Sequence, residues 1–337
     1  MPYPQITIKD IAKALNVSVS TVSRALNNSP DLSEGTKRQI SEYARLHNYK
    51  PNLVALSMKK QESNVIGVIV PQMIHHFFSS VLEGIMDVAE KEGFSVMLFR
   101  SLDNFEKERR SVQQLISSHV CGVLTSMAKE TTHYEHFQEL VDNHIPVIFF
   151  DRICVDIPSN RVVIDDYAGA LAATEYLIKT GCKRIAFFCS PLNLEISKNR
   201  RGGYLDALSK HGMSVDKELI RICDNYDEAI PVATEMLQSD NRPDAFFAVN
   251  DETALGILHA TKQLHFKIPE EVSICGFTDG FAAIASDPQL TTVGQSGLDV
   301  GRSAMELLVE KIRYKGDTPL LKNKIIKTKL IVRETTR

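Results

Sequence analysis

At 337 residues the chain is long for one compact domain and is expected to divide into about two. Its 43% hydrophobic and 24% charged content excludes a disordered or collagen-like chain. The net charge of −3 argues against a uniformly basic nucleic-acid coat, yet it is unevenly spread: residues 1–60 carry nine basic against four acidic side chains, +5, which leaves −8 on the rest.

Residues 7–47 read as three short helices. Thr7 can cap the first, with Asp10 at its third position, and Ile8, Ile11, Ala12 and Leu15 form the apolar stripe. Asn16 and Val17 interrupt the pattern. Ser18 can cap a second helix that turns Val22, Ala25 and Leu26 inward and leaves Val19, Ser20 and Arg24 more exposed. After a polar loop at 27–31, a third helix over about 33–47 buries Ile40, Tyr43, Ala44 and Leu46. Two helices joined by a tight turn, the second opening on small polar residues, form a helix-turn-helix that can enter a major groove. There Val19 can meet a thymine methyl, Ser20 can donate or accept, and Arg24 has the fork for guanine O6 and N7. Thr21 and Ser23 suit phosphate oxygens. Thr7, Ser18 and Asn27 complete the expected DNA-facing set of the head.

From residue 65 the texture changes to β-branched and aromatic runs. Expected strands at 65–70, 95–99, 122–125, 147–150, 162–164, 184–189, 219–223, 245–249 and 272–277 alternate with helical stretches. That alternation is the pattern of βαβ units around parallel sheets. Nine such strands are too many for one small open sheet, so two doubly wound α/β lobes are expected. A strand at 290–293, a helix at 297–315 and one final strand at 325–332 would carry the chain back between them. The organisation read from this is a head over 1–50, a linker over 51–62 and a body over 63–337. Within the body, the first lobe takes about 63–162 and 294–324, the second about 163–293 and 325–337.

The six cysteines are scattered without zinc spacing, mostly inside apolar runs, so a reducing cytoplasm is the expected compartment. No apolar run resembles a signal peptide or reaches the ~18 residues of a membrane span.

The stretch from Thr7 to Asn27 fits T-I-x-D-I-A-x-x-x-x-V-S-x-x-T-V-S-R-x-L-N and resembles the DNA-binding head of the lactose-repressor/galactose-repressor (LacI/GalR) family of bacterial transcription regulators. The resemblance extends through 48–52, 66–71, Phe77-Phe78, Asp151-Arg152, Asn250-Asp251, Gly276-Phe277 and 290–293. It implies a homodimer or higher oligomer on a pseudo-palindromic operator, with a periplasmic-binding-protein-like body that takes a small effector, a sugar or glycan fragment. Residues 52–58 correspond to the family's hinge helix, Asn52, Ala55, Leu56 and Met58 among them. Met58 stands where relatives carry the Leu that wedges into the minor groove.

The same resemblance implies effector contacts from His75, His76, Phe77 and Phe78 after the first strand, Asp151 and Arg152, Arg200, Asp251, and Thr278, Asp279 and Phe281. Carboxylates and guanidinium forks in a cleft suit a polyhydroxylated ligand. Thr278 replaces the first Asp of the relatives' Gly-Phe-Asp-Asp, and His75-His76 replaces their Asn-Pro. Adjacent histidines seldom face one ion, so no metal is expected, and no cofactor. G-x-S-x-G, Walker A, G-x-G-x-x-G and H-E-x-x-H are all missing. The expectation is a regulator rather than the alternative, a sugar-binding protein or carbohydrate-processing enzyme sharing the lobes.

Overall fold

The computed structural model describes residues 6–49, 64–314 and 321–337, which fall into two units, 1–63 and 64–337. In the first unit α1 (Ile8–Ala14), α2 (Val19–Leu26) and α3 (Glu34–Leu46) start at the caps expected of them. The Thr7 amide donates to Asp10 Oδ2 at 2.8 Å while the Asp10 amide donates to Thr7 Oγ1 at 3.3 Å, so two orphan donors are satisfied reciprocally. Ser18 and Ser33 accept from the amides of Thr21 and Thr36. Asn16 takes a positive φ of 50°, which lets the chain turn sharply between α1 and α2. Ile11, Ala12, Val22, Ala25, Ile40 and Ala44 form the buried core, with Tyr43 half-buried against it. Leu46 does not join them. It is 67% exposed, because it is the last residue of α3, where the stripe has turned toward solvent.

The second unit holds two six-stranded sheets among the described residues. The first contains β1 (Val65–Val70), β2 (Ser95–Arg100), β3 (Gly122–Thr125), β4 (Val147–Phe150), β5 (Asn160–Ile164) and β11 (Asn323–Ile326), in the order β11-β5-β4-β3-β1-β2, all parallel. The second contains β6 (Ile185–Cys189), β7 (Ile220–Ile222), β8 (Ala245–Ala248), β9 (Ser273–Thr278), β10 (Thr291–Gly294) and β12 (Lys329–Ile331), in the order β12-β10-β9-β8-β6-β7. Here only β12 is antiparallel. Most strands read as continuous apolar runs because helices cover both faces. Each sheet reverses its winding beside its first strand, and ligands bind such folds beyond the carboxyl ends of the strands at that switch point.

The expected single strand at 325–332 is two strands in different sheets: β11 pairs with β5, and β12 pairs with β10. Only Lys327 and Thr328 separate them, so an unbroken β-forming run hides a crossing. The lobe boundaries move with it. The first lobe closes at Ile164, resumes after Gly294 and ends at Ile326.

Within the first lobe, α4 (His76–Glu92) and α12 (Gly297–Arg313) lie almost backbone to backbone. A Cβ at Gly84 would collide with the Leu298 carbonyl, and one at Gly301 with the Val81 carbonyl, so both positions require glycine for closeness rather than for a turn. The cysteines are free thiols, and burial pushes the Cys189 thiol up to about 11.

Candidate functional site

Two surfaces carry the polar chemistry, one in each unit. On the first, α2 presents Val19, 43% exposed, with Ser20 and Arg24 also exposed, while Thr21 and Ser23 are half-buried beside them. Ser18 anchors the helix start, and its hydroxyl lies 2.7 Å from Ser20 Oγ and 2.8 Å from Thr21 Oγ1. Asn27 closes the helix, its amide nitrogen donating to the Ser23 carbonyl at 2.8 Å. Thr7 is likewise engaged in its capping box. Arg24 has no acidic partner among the described residues, so its fork is open to an acceptor from outside the chain.

On the second unit a cleft of about 480 Å³ opens where the strands of both sheets end. From the first lobe it is lined by Gln72, His75, Phe77, Phe78, Asp103, Lys129, Asp151 and Arg152. From the second come Ser190, Arg200, Asp224, Asn225, Tyr226, Asn250, Glu252 and Thr278, with Gln295 at a crossing. The backbone leaves its strands in unusual conformations here: Asp151 has φ 58° and Thr278 φ 149°, positions sparsely populated by side chains other than glycine. Strain of this kind is retained where the surrounding structure holds a residue in place, and in both cases the residue held faces the cleft.

Charges in the cleft are largely matched inside the protein. Arg152 pairs with Asp103, and Lys129 Nζ lies 2.8 Å from Asp224. Arg200 is buried on α8 (Glu195–Lys210). Its Nε donates to Asp166 at 2.7 Å, its Nη1 donates to the Val249 carbonyl at 2.5 Å, and its guanidinium stacks 3.9 Å from the Phe277 ring centre. Burial pushes the Asp166 carboxyl up to about 6 even though Arg200 opposes the shift. Asp151 is buried too. It accepts only a long 3.5 Å bond from Ser126 Oγ, with Arg152 Nε 4.0 Å away, and burial raises its pKa above the ordinary carboxylate value. A carboxylate so poorly supplied with donors is suited to accept from a ligand hydroxyl.

Comparison with known proteins agrees with this geometry. Residues 63–334 match the family model for periplasmic binding proteins and the sugar binding domain of the LacI family, and residues 7–52 match that for bacterial regulatory proteins of the lacI family. The chain belongs to the LacI family. It is a DNA-binding transcriptional regulator with a periplasmic-binding-protein-like body. Among curated LacI-family relatives, the ribose operon repressor of Halalkalibacterium halodurans is 32% identical over 98% of this chain and 97% of its own. The HTH-type transcriptional repressor PurR of Vibrio atlanticus is 31% identical over 92% of each. A solved complex of the transcriptional regulator CelR with cellobiose superposes with a TM-score of 0.74 at 27% identity, over 98% of this chain and 99% of that one. These relatives are regulators, not enzymes.

Not every effector contact that the LacI-family resemblance implies reaches the cleft. His75, Phe77, Phe78, Asp151, Arg152, Arg200 and Thr278 line it; His76, Asp251, Asp279 and Phe281 do not. Asp251 is buried and accepts from the Thr292 hydroxyl at 2.5 Å and the Gly280 amide at 2.9 Å, which makes it a brace for the loop after β9. Asp279 is taken by Arg333 at 2.5 Å, Phe281 is 74% exposed, and His76 lies against Gly280. Reading the motif residue by residue missed Asp103, Lys129, Asp224 and Gln295, which belong to no local pattern. The hinge positions Asn52, Ala55, Leu56 and Met58 lie outside the described residues. Among the described residues no helix is long and apolar enough to cross a membrane.

Proposed function

We propose that this chain is a repressor that binds a pseudo-palindromic operator as a homodimer and is controlled by a neutral polyhydroxylated effector, a sugar or glycan fragment, seated in the cleft of the body. The head, 1–50, reads each half-site through Val19, Ser20 and Arg24, while Thr21 and Ser23 hold phosphates. Residues 51–62 join it to the body, and Asn52, Ala55, Leu56 and Met58 enter the proposal on the sequence alone, with Met58 as the minor-groove wedge. The observation that supports the effector reading most directly is the pairing of every cleft cation with a carboxylate, Arg152 with Asp103, Lys129 with Asp224 and Arg200 with Asp166. Among the described residues the cleft has no positive charge left over for a phosphate or uronate. Asp151, by contrast, has room to accept from a hydroxyl.

The cellobiose complex of CelR, which has a similar body, and a relative named for the ribose operon favour sugars as the first ligands to try. The test is a thermal-shift screen of mono- and disaccharides, sugar phosphates and purines on the full chain, followed by gel-shift titration on operator DNA with the ligand that raises the melting temperature. A ligand that binds only the folded state raises it by mass action. Stabilisation by sugar phosphates alone would overturn the neutral-effector reading. Equal affinity for operator and random DNA, with a flat salt response, would overturn the specific-repressor reading.

A further inference from the structure

The segment between β3 and the helix at Glu135–Asp142 lies in the first lobe, and one of its residues, Lys129, is tied to the second lobe twice. Its ammonium meets Asp224 beyond the end of β7 at 2.8 Å, and its backbone carbonyl accepts from Asn193 Nδ2, just before α8, at 2.7 Å. Its own amide donates to Asp103 at 3.1 Å, and Asp103 also holds Arg152. Asp224 is fixed in turn, because Asn250 Nδ2 donates to its carbonyl at 2.8 Å. The segment around Lys129 is clamped from within its own lobe by Glu108. That fully buried carboxylate accepts from the Ala128 amide at 2.5 Å and the Thr131 hydroxyl at 2.6 Å, and lies 2.9 Å from His136 Nε2. Three partners on one buried carboxylate leave the 128–131 turn little freedom, so the Lys129 side chain is aimed across the cleft by its own lobe.

We propose that Lys129 is the positioning residue of the effector response: by holding Asp224 and Asn193 across the cleft it keeps the two lobes together in the effector-free protein, and an effector must trade its own hydroxyls against that pair. The Lys129 and Asp224 side chains both line the cleft, where a ligand can reach them. Glu108, although it touches no ligand, acts through Lys129 by fixing the turn that carries it. By linkage, whatever affinity an effector gains from taking over one partner is set against the contact it breaks, and the difference is the coupling that reaches the rest of the body. This rests on the reading that the cleft is the effector site, whereas the contacts of Lys129 with Asp224 and Asn193 stand without it.

Hydrogen–deuterium exchange on the effector-free full chain tests it, with the segments 126–134, 190–194 and 223–227 followed in Lys129→Met, Asp224→Asn and the double variant. Each single variant should speed exchange in all three segments roughly two- to fivefold, the range for a partly exposed ion pair. The double should match either single, because the pair is already broken. Lys129→Arg should keep the slow exchange of the parent protein, which a lysine needed only for packing would not predict. Unchanged exchange in the singles, effects confined to 126–134, or additive effects in the double would overturn the proposal. A protein whose singles open the cleft, yet which no sugar stabilises, would keep the clamp and refute the effector reading instead.

Discussion

The head and the cleft solve recognition in opposite ways. Val19, Ser20 and Arg24, the readers proposed for DNA, stand on one eight-residue helix, exposed, with Arg24 unmatched by any acid among the described residues. Those that line the cleft arrive from many separate segments and meet one another first, so that its cations are paired and Arg200 is buried. A surface meant for a polyanion can leave its cations in water, where hydration costs nothing, and collect the attraction on contact. A cleft whose walls bury side chains such as Arg200 matches its cations with its own carboxylates and makes a ligand compete with them.

Breaking a pair should therefore hurt the body far more than removing a reader hurts the head. Arg200→Ala leaves Asp166 buried and unpaired and should destabilise the body by roughly 3–5 kcal/mol. Calorimetry of the full chain should show the body's transition lowered, while the unspecific DNA affinity of the head is unchanged. A transition shifted by less than a degree would mean that Asp166 finds another donor. The converse experiment sits in the head. Ile11→Ala empties a core with six buried apolar side chains among the described residues and should cost about 2–4 kcal/mol, enough to unfold so small a unit and abolish DNA binding while ligand stabilisation of the body survives.

Arg24→Ala separates reading from folding. It should leave the melting profile intact and weaken operator binding about ten- to a hundredfold, with a smaller loss on random DNA. Equal losses on both would assign Arg24 to the phosphate backbone. The smallest effect expected is a pH dependence. Asp166 is raised from 3.8 to about 6 in the folded body, so the fold favours its protonated form. Its contribution is fully present below pH 3.8 and is lost as pH rises through about 6. The melting temperature of the parent protein relative to Asp166→Asn should therefore decline between pH 4 and 7, and a difference independent of pH would place the burial cost elsewhere.

The same contrast explains what the sequence made legible. In the head, function and fold use neighbours three or four residues apart. Thr7 and Asp10, Ser18 and Thr21, and the stripes of Ile8, Ile11 and Leu15 on α1 and of Val22, Ala25 and Leu26 on α2 can all be read from local spacing. The strands of the body were readable for the same reason, as apolar runs between helical stretches. The cleft depends on pairs such as Lys129 with Asp224 and Arg200 with Asp166, which no local period connects. Asp151, Arg152 and Arg200, which the family motifs single out, do line the cleft. The motifs could not reveal that Asp251 is spent on Thr292 and Gly280, or that Asp279 is spent on Arg333, because those partners come from distant strands. The crossing at 327–328 escaped notice because residues on both sides of it favour strands equally well.

That crossing is one of three. The chain passes from lobe to lobe at residue 165, again at 295–296, and last at 327–328, each time with one or two residues between an element of one lobe and an element of the other. Tethers so short act as pins. One pin would let the lobes swivel and roll, whereas three set side by side, with the Asp165 amide donating to the Ile326 carbonyl and Gly294 paired with Lys329, join the two sheets along one shared seam and narrow the ways they can move against each other.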